Sequence, residues 1–261
     1  MAVSLALLSV HAQVDGFNKG KGNMDLVASL SYEQGLNYFL ADGTANIKRN
    51  RIALSLFAAR GLTDDLDVQL SIPFISTTGT SSFQDAQLFL KWLPVKAAVG
   101  NGKITFGAAI GGSTPMLDYE TETGSAIGQQ ASSLTPMGVL QYMSGSGWFT
   151  SIVAGQQVVS APTPDALTGT FRLGHASDKH YVEAYVDAQE AYGGRDYLDQ
   201  ADPYRLSFKE LGVSFLRVGA KYYKPIGSRS GIVAGASYVV SGRNVDQMVM
   251  VAGSYILHFR K

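Results

Sequence analysis

Val249-Met-Val-Ala-Gly253-Ser-Tyr255-Ile-Leu257-His-Phe259-Arg-Lys261 places Val249, Val251, Gly253, Tyr255, Leu257 and Phe259 at every second position, with Met250, Ala252, Ser254, Ile256 and His258 between them. Residues two apart on a strand share a face, so the first set forms one continuous aromatic and aliphatic stripe. A strand that shows lipid an unbroken apolar face while both its edges are paired is the closing strand of a transmembrane β-barrel. This stretch therefore sets the predicted fold class: all-β, a single antiparallel up-and-down barrel.

The same alternation recurs along the chain. Leu66, Val68, Leu70, Ile72 and Phe74 alternate with Asp65, Asp67, Gln69, Ser71 and Pro73. A helix would scatter these groups around its surface, whereas a strand sorts them onto two faces. Ala86, Leu88, Leu90 and Trp92 alternate with Asp85, Gln87, Phe89 and Lys91. Ile52, Leu54, Leu56 and Ala58 do so with Arg51, Ala53 and Ser55, and Val182, Ala184, Val186 and Ala188 with Tyr181, Glu183, Tyr185 and Asp187. Further segments fall at Met24 to Glu33, Lys103 to Gly112, Ser132 to Tyr142, Trp148 to Val158, Thr170 to His175, Leu211 to Tyr223 and Gly231 to Val240. Together they predict about 12 strands.

Link lengths carry a second signal. Short links fall at Gly61 to Asp64, Ser144 to Gly147, Ala176 to Asp178 and Lys224 to Ser230; longer ones fall at Gln34 to Lys48, Ser113 to Ala131, Ser160 to Gly169 and Glu190 to Glu210. Outer-membrane barrels have short periplasmic turns and longer extracellular loops, and an even strand number puts both ends of the sheet in the periplasm. Two links run against this pattern: Leu93 to Gly102 is long where a turn is expected, and Ile75 to Ser82 is brief for a loop.

Composition agrees. No stretch approaches the roughly 18 consecutive apolar residues of a spanning helix, although 46% of the 261 residues are apolar. Lys plus Arg (21) balances Asp plus Glu (21), which gives no reason to expect a nucleic-acid partner. The absence of cysteine fits an oxidising export route. The 13 tyrosines suit a membrane boundary, and the 29 glycines suit crowded, tilted strands. Near the start, Ala2 to Val10 reads as the apolar core of a secretory signal, with Val10-His11-Ala12 as the cleavage site. Residues 1–12 are thus expected to be a signal peptide and 13–261 the barrel. The basic residues that normally precede such a core are missing, which leaves a truncated start or a buried N-terminal strand as alternatives.

Several motifs resemble known barrels. Gly253-x-Tyr255-x-Leu257-x-Phe259 resembles the C-terminal signal by which bacterial outer-membrane barrels are recognised for assembly. Gly61-Leu-Thr-Asp-Asp-Leu-Asp-Val-Gln-Leu-Ser-Ile-Pro-Phe74, a turn leading into an alternating strand that ends in Pro-aromatic, resembles the outer-membrane β-barrel family linked to the meta-pathway of phenol degradation. Asp85-Ala-Gln-Leu-Phe-Leu-Lys91-Trp92 is similar to that family's Lys-aromatic segment, with Ser82-Phe83-Gln84 where the family has glycines, and Gly107 to Pro115 to its glycine-rich strand ending in Thr-Pro. The resemblance covers roughly residues 24 to 261. It implies the outer membrane of a Gram-negative bacterium, passage of hydrophobic or aromatic compounds, and no transferable catalytic residues. The partners it implies are outer-membrane lipids, the barrel-assembly machinery and a small-molecule solute of unknown identity.

Candidate chemistry is sparse. His175, Ser177, Asp178 and His180 hold the residue types of a hydrolase, yet triads are assembled from separated segments rather than one tight turn. A polar turn is the stronger reading, and no enzyme is expected. His175 and His180 lack further ligands at metal spacing, and Asp64, Asp65 and Asp67 lack the glycine and glutamate of a calcium loop, so neither a metal nor a cofactor is expected. Loops Ser160 to Asp165 and Glu190 to Tyr204, the latter combining acids with tyrosines, name no ligand. Alternation instead points Arg51, Asp85, Lys91, Arg172, Glu183, Asp187, Arg217 and Lys221 inward as pore-lining groups. Their near-balanced signs predict salt bridges across the lumen. The predicted function is a passive channel for small molecules with a restricted lumen. A structural or surface-interaction barrel is the alternative.

Overall fold

The computed structural model describes residues 14–122, 126–197 and 207–261. Among them, twelve long strands form one closed antiparallel barrel. The strands are β1 (Met24–Phe39), β2 (Asn50–Gly61), β3 (Leu66–Thr77), β4 (Asp85–Val99), β5 (Gly102–Pro115), β6 (Ser133–Met143), β7 (Trp148–Val159), β8 (Ala166–Ala176), β9 (Tyr181–Ala191), β10 (Ser214–Pro225), β11 (Ser230–Arg243) and β12 (Val245–Phe259). Each pairs with its sequence neighbour, and β12 pairs with β1 to close the sheet. Short pieces at Thr44–Ala45 and Thr80–Phe83 extend β1 and β3.

The wall sorts side chains as the alternation demands. Leu70, Leu88, Leu90, Ile52, Leu54, Val182, Tyr255 and Phe259 face outward and are exposed, while Gln69, Gln87, Lys91, Glu183 and His258 on the same strands are buried inside. Exposed apolar groups on a soluble surface would be costly, and in lipid they are the solvent-matched face. Trp92, Trp148, Tyr222, Tyr255 and Phe259 stand outward near the end that carries the short turns, as interfacial aromatics do.

Two links are corrected. The segment from Leu93 to Gly102 is strand, not a long link: β4 continues to Val99, and only Gly100-Asn101 turns into β5. Alternation breaks there because the β4–β5 register shifts between Trp92 and Val95, a bulge that accommodates Pro94. Ile75 to Ser82 is likewise the tip of a hairpin in which Phe74 pairs with Phe83 and Thr77 with Thr80. Residues 1–13, which include the expected signal peptide, lie outside the described residues.

Candidate functional site: a plugged and paired lumen

A chain segment fills the half of the lumen nearest the short turns. Residues 14–21 precede β1 and pass inside the barrel, where Val14 and Phe17 are buried. Val14 packs with Phe89, Leu93, Ala109, Met137, Val139 and Val153. Phe17 meets Phe149 edge-on at 5.1 Å and Tyr181 at 6.2 Å. Polar contacts hold the segment as well. Lys91 Nζ donates to Asp15 Oδ1 at 2.9 Å and to the Phe17 carbonyl, and it lies 3.4 Å from Asp67 Oδ2. The backbone N–H of Lys19 donates to Asp67, and its ammonium pairs with Asp25. Gly16 has no room for a side chain, because a Cβ there would lie 2.4 Å from Gln141 Cβ.

All eight residues predicted to line the pore point inward, and seven meet named polar partners. Glu183 faces Lys221 at 3.2 Å and accepts from the Tyr181 hydroxyl. Asp187 accepts from Arg217 at 2.8 Å and from Thr170 at 2.9 Å. Arg51 pairs with Asp246 and lies 3.5 Å from Glu33. Asp85 accepts the Tyr119 hydroxyl at 2.9 Å, and Lys91 serves the plug. Arg172 is buried on β8 beside them. The expected bridges across the lumen are corrected: Arg51/Glu33, Lys91/Asp67, Glu183/Lys221 and Asp187/Arg217 are register partners on adjacent strands. Directly opposed residues on neighbouring strands approach to about 5 Å between Cβ atoms, far nearer than the opposite wall.

Sequence reasoning missed a second set. Asp25 of β1 faces His258 of β12 across the closure seam; His258 Nδ1 lies 2.8 Å from Asp25 Oδ1, and its Nε2 lies 2.8 Å from the Tyr223 hydroxyl. Arg260 donates to the same carboxylate at 2.9 Å. These residues sat on the inward rows of the alternation, so their facing was legible, but their partnership spans 233 positions. Asp15 and Lys19 carried no signal, since they lie outside any strand.

At the opposite end, two loops fold over the mouth. Tyr119 is buried against Ile75 and Ile127, and its oxygen accepts from Gln130 N at 2.8 Å while donating to Asp85. Burial, reinforced by the Asp85 carboxylate, pushes this phenol well above its ordinary range. Gln129 Nε2 reaches the carbonyls of Phe208 and Leu211 at 3.0 and 2.8 Å, and Phe208 N donates to Thr121, which ties the two loops together. Asn244, in the left-handed region at φ 54°, anchors the second loop through Arg195 O, Gly212 O and Tyr197 N. Beneath these loops lies a vestibule of about 270 Å³. Gln84, Gln157 and Gln189 contribute polar lining, and Ile127, Phe208 and Val213 contribute apolar lining.

The remaining candidates form no site. Ser177 accepts the N–H groups of Lys179 and His180 and closes the turn; His175 and His180 stack at 5.3 Å, with His175 Nε2 2.9 Å from Ser146 O. Asp64, Asp65 and Asp67 diverge: Asp64 accepts from Lys21 N, Asp65 pairs with Lys96, and Asp67 turns into the lumen. In the acid-tyrosine loop, Asp196 pairs with Arg243 and Tyr197 packs on Tyr38, while residues 198–206 lie outside the described set.

A closed, even-stranded barrel with a lipid-facing belt and a polar interior defines the class: a transmembrane β-barrel of the Gram-negative outer membrane. The COG4313 outer membrane channel from Pseudomonas putida F1 shares this fold with a TM-score of 0.71 at 12% identity, over 92% of this chain and 96% of that one. The CymD monoaromatic hydrocarbon channel is matched at TM-score 0.49 and 8% identity, over 93% and 90% of the two chains. The translocator domain of the autotransporter NalP from Neisseria meningitidis is matched at 0.46 and 14%, over 93% and 89%. No family model and no curated protein matches the chain.

Proposed function

We propose that this barrel is a passive channel with a restricted lumen for small molecules, hydrophobic or aromatic ones included. The vestibule carries the reading. Its 270 Å³ exceeds the roughly 150 Å³ that suffices to hold benzene, and its lining mixes amide and apolar groups. The channel role of the Pseudomonas putida protein with this fold supports it, as does the resemblance to the barrels linked to phenol degradation. The reading assigns the protein no catalysis and gives the inward charges the role of a polar lining neutralised by pairing along the wall. Residues 14–21 favour the second reading, a structural barrel, because they occupy the path below the vestibule.

Planar-bilayer recording beside proteoliposome uptake of small aromatic compounds, with empty liposomes as the baseline, separates the two. The channel reading expects small conductance that rises several-fold in Phe17→Ala, and uptake above baseline. Wide, porin-like conductance in the unmodified protein would refute the restricted lumen. No uptake by either form would leave the structural barrel.

The lipid-facing row Gly253, Tyr255, Leu257 and Phe259 is assigned to assembly. Phe259→Ala should lower the yield of folded barrel in cells while assembled protein conducts normally. Normal yield at native expression would remove that role.

A further inference from the structure

The chain is neutral overall, but its two ends are not. The loop end exposes Asp42, Asp118, Glu120, Glu122 and Glu190 against Lys48 and Arg195, an acidic excess. The turn end exposes Lys21, Arg60, Lys224, Arg229 and Lys261 on or beside the neighbouring strands β10, β11, β12, β1 and β2, while Lys103 and Lys179 stand apart on β5 and the β8–β9 turn. Register makes this a contiguous arc. Arg60 is opposite Met24, and Met24 is opposite Phe259, two residues before Lys261. Lys261 N donates to Asn23, His258 N donates to Arg229 O, and Lys21 bridges to Gly61. Acids at this end are fewer: Asp25 is buried in the lumen, Asp65 holds Lys96, Asp178 is on the β8–β9 turn, and Asp64, exposed beside Lys21 and accepting its backbone N–H, marks the edge of the arc.

Depth identifies the partner. Arg60, Lys224 and Lys261 are the next members of the lipid-facing rows after Ala58, Tyr222 and Phe259, so they follow directly on the apolar and aromatic band. Aromatic rings sit at the headgroup level, and the step beyond them is where lipid phosphates lie. Leu62 and Ile226, both exposed on the adjoining turns, add apolar surface beside the charges.

We propose that this arc is a binding site for the headgroups of anionic phospholipids in the periplasmic leaflet. It goes beyond the channel reading and does not depend on it. The chemistry is a phosphate held among lysines and arginines while the acyl chains lie along the barrel, and each basic residue near such a surface is worth about fivefold in affinity.

Native mass spectrometry of the full chain in detergent, titrated with phosphatidylglycerol or phosphatidylethanolamine, tests this. Phosphatidylglycerol should bind at least tenfold more tightly. Each of Arg60→Gln, Lys224→Gln, Arg229→Gln and Lys261→Gln should weaken it about fivefold and weaken phosphatidylethanolamine, whose phosphate is offset by its own ammonium, clearly less. Lys103→Gln with Lys179→Gln, basic positions outside the arc, should leave both lipids unaffected. The gel shift of heated against unheated sample confirms that each variant is folded. Equal binding of the two lipids, or an equal loss in the outside pair, would overturn the proposal. So would displacement of phosphatidylglycerol by equimolar glycerol 1-phosphate, which would make the arc a site for soluble phosphate.

Discussion

The two halves of the lumen share one wall and differ in what fills it. Toward the turns, Val14 and Phe17 enter a packed interior whose ion pairs are fully buried: Lys91 and Asp67 are both 0% exposed. Toward the loops, Arg51 and Arg49 keep partial access to solvent, both lean on Asp246, and a vestibule remains. A barrel of this size leaves room inside that side chains alone need not fill. Whether a half is sealed or open is therefore set by what folds into it, and here a segment outside the strands seals one half.

The largest expected effect tests that contrast directly. Lys91→Met removes the buried ammonium that Asp15 and Asp67 share and should cost about 3–5 kcal/mol in denaturant unfolding. Arg51→Met, in the open half, leaves Asp246 with Arg49 and should cost clearly less. Equal costs would erase the distinction between the halves.

The wall should not show it. Leu70→Arg and Ile152→Arg place a charge on the lipid face four positions along their strands from the turn end, and both should cost about 2–4 kcal/mol. A large disparity between them would mean that the exterior, too, differs from one flank to another.

The smallest effect concerns the lid. Tyr119→Phe removes a donor to Asp85 and an acceptor for Gln130 N, worth about 1–2 kcal/mol, and should speed proteolysis within residues 116–131 while barrel unfolding stays unchanged. Unchanged proteolysis would place the lid's hold elsewhere, in the Gln129 contacts to Phe208 and Leu211.

Alternation by itself determined the fold class, the lipid-facing row from Val249 to Phe259, and the inward facing of Arg51, Asp85, Lys91, Arg172, Glu183, Asp187, Arg217 and Lys221. It could do so because a strand's face depends only on parity, a property of residues two apart. It failed at Pro94, where a bulge resets parity, and at Thr77 to Thr80, where a hairpin tip of small polar residues looks like a loop. Tertiary structure alone decided who meets whom. Asp25 finds His258 because the barrel closes, Lys91 finds Asp15 because the chain before β1 turns inward, and Asn244 holds a loop that ends more than thirty residues earlier. These contacts arise from closure and from the filling of an enclosed volume, which no local period encodes.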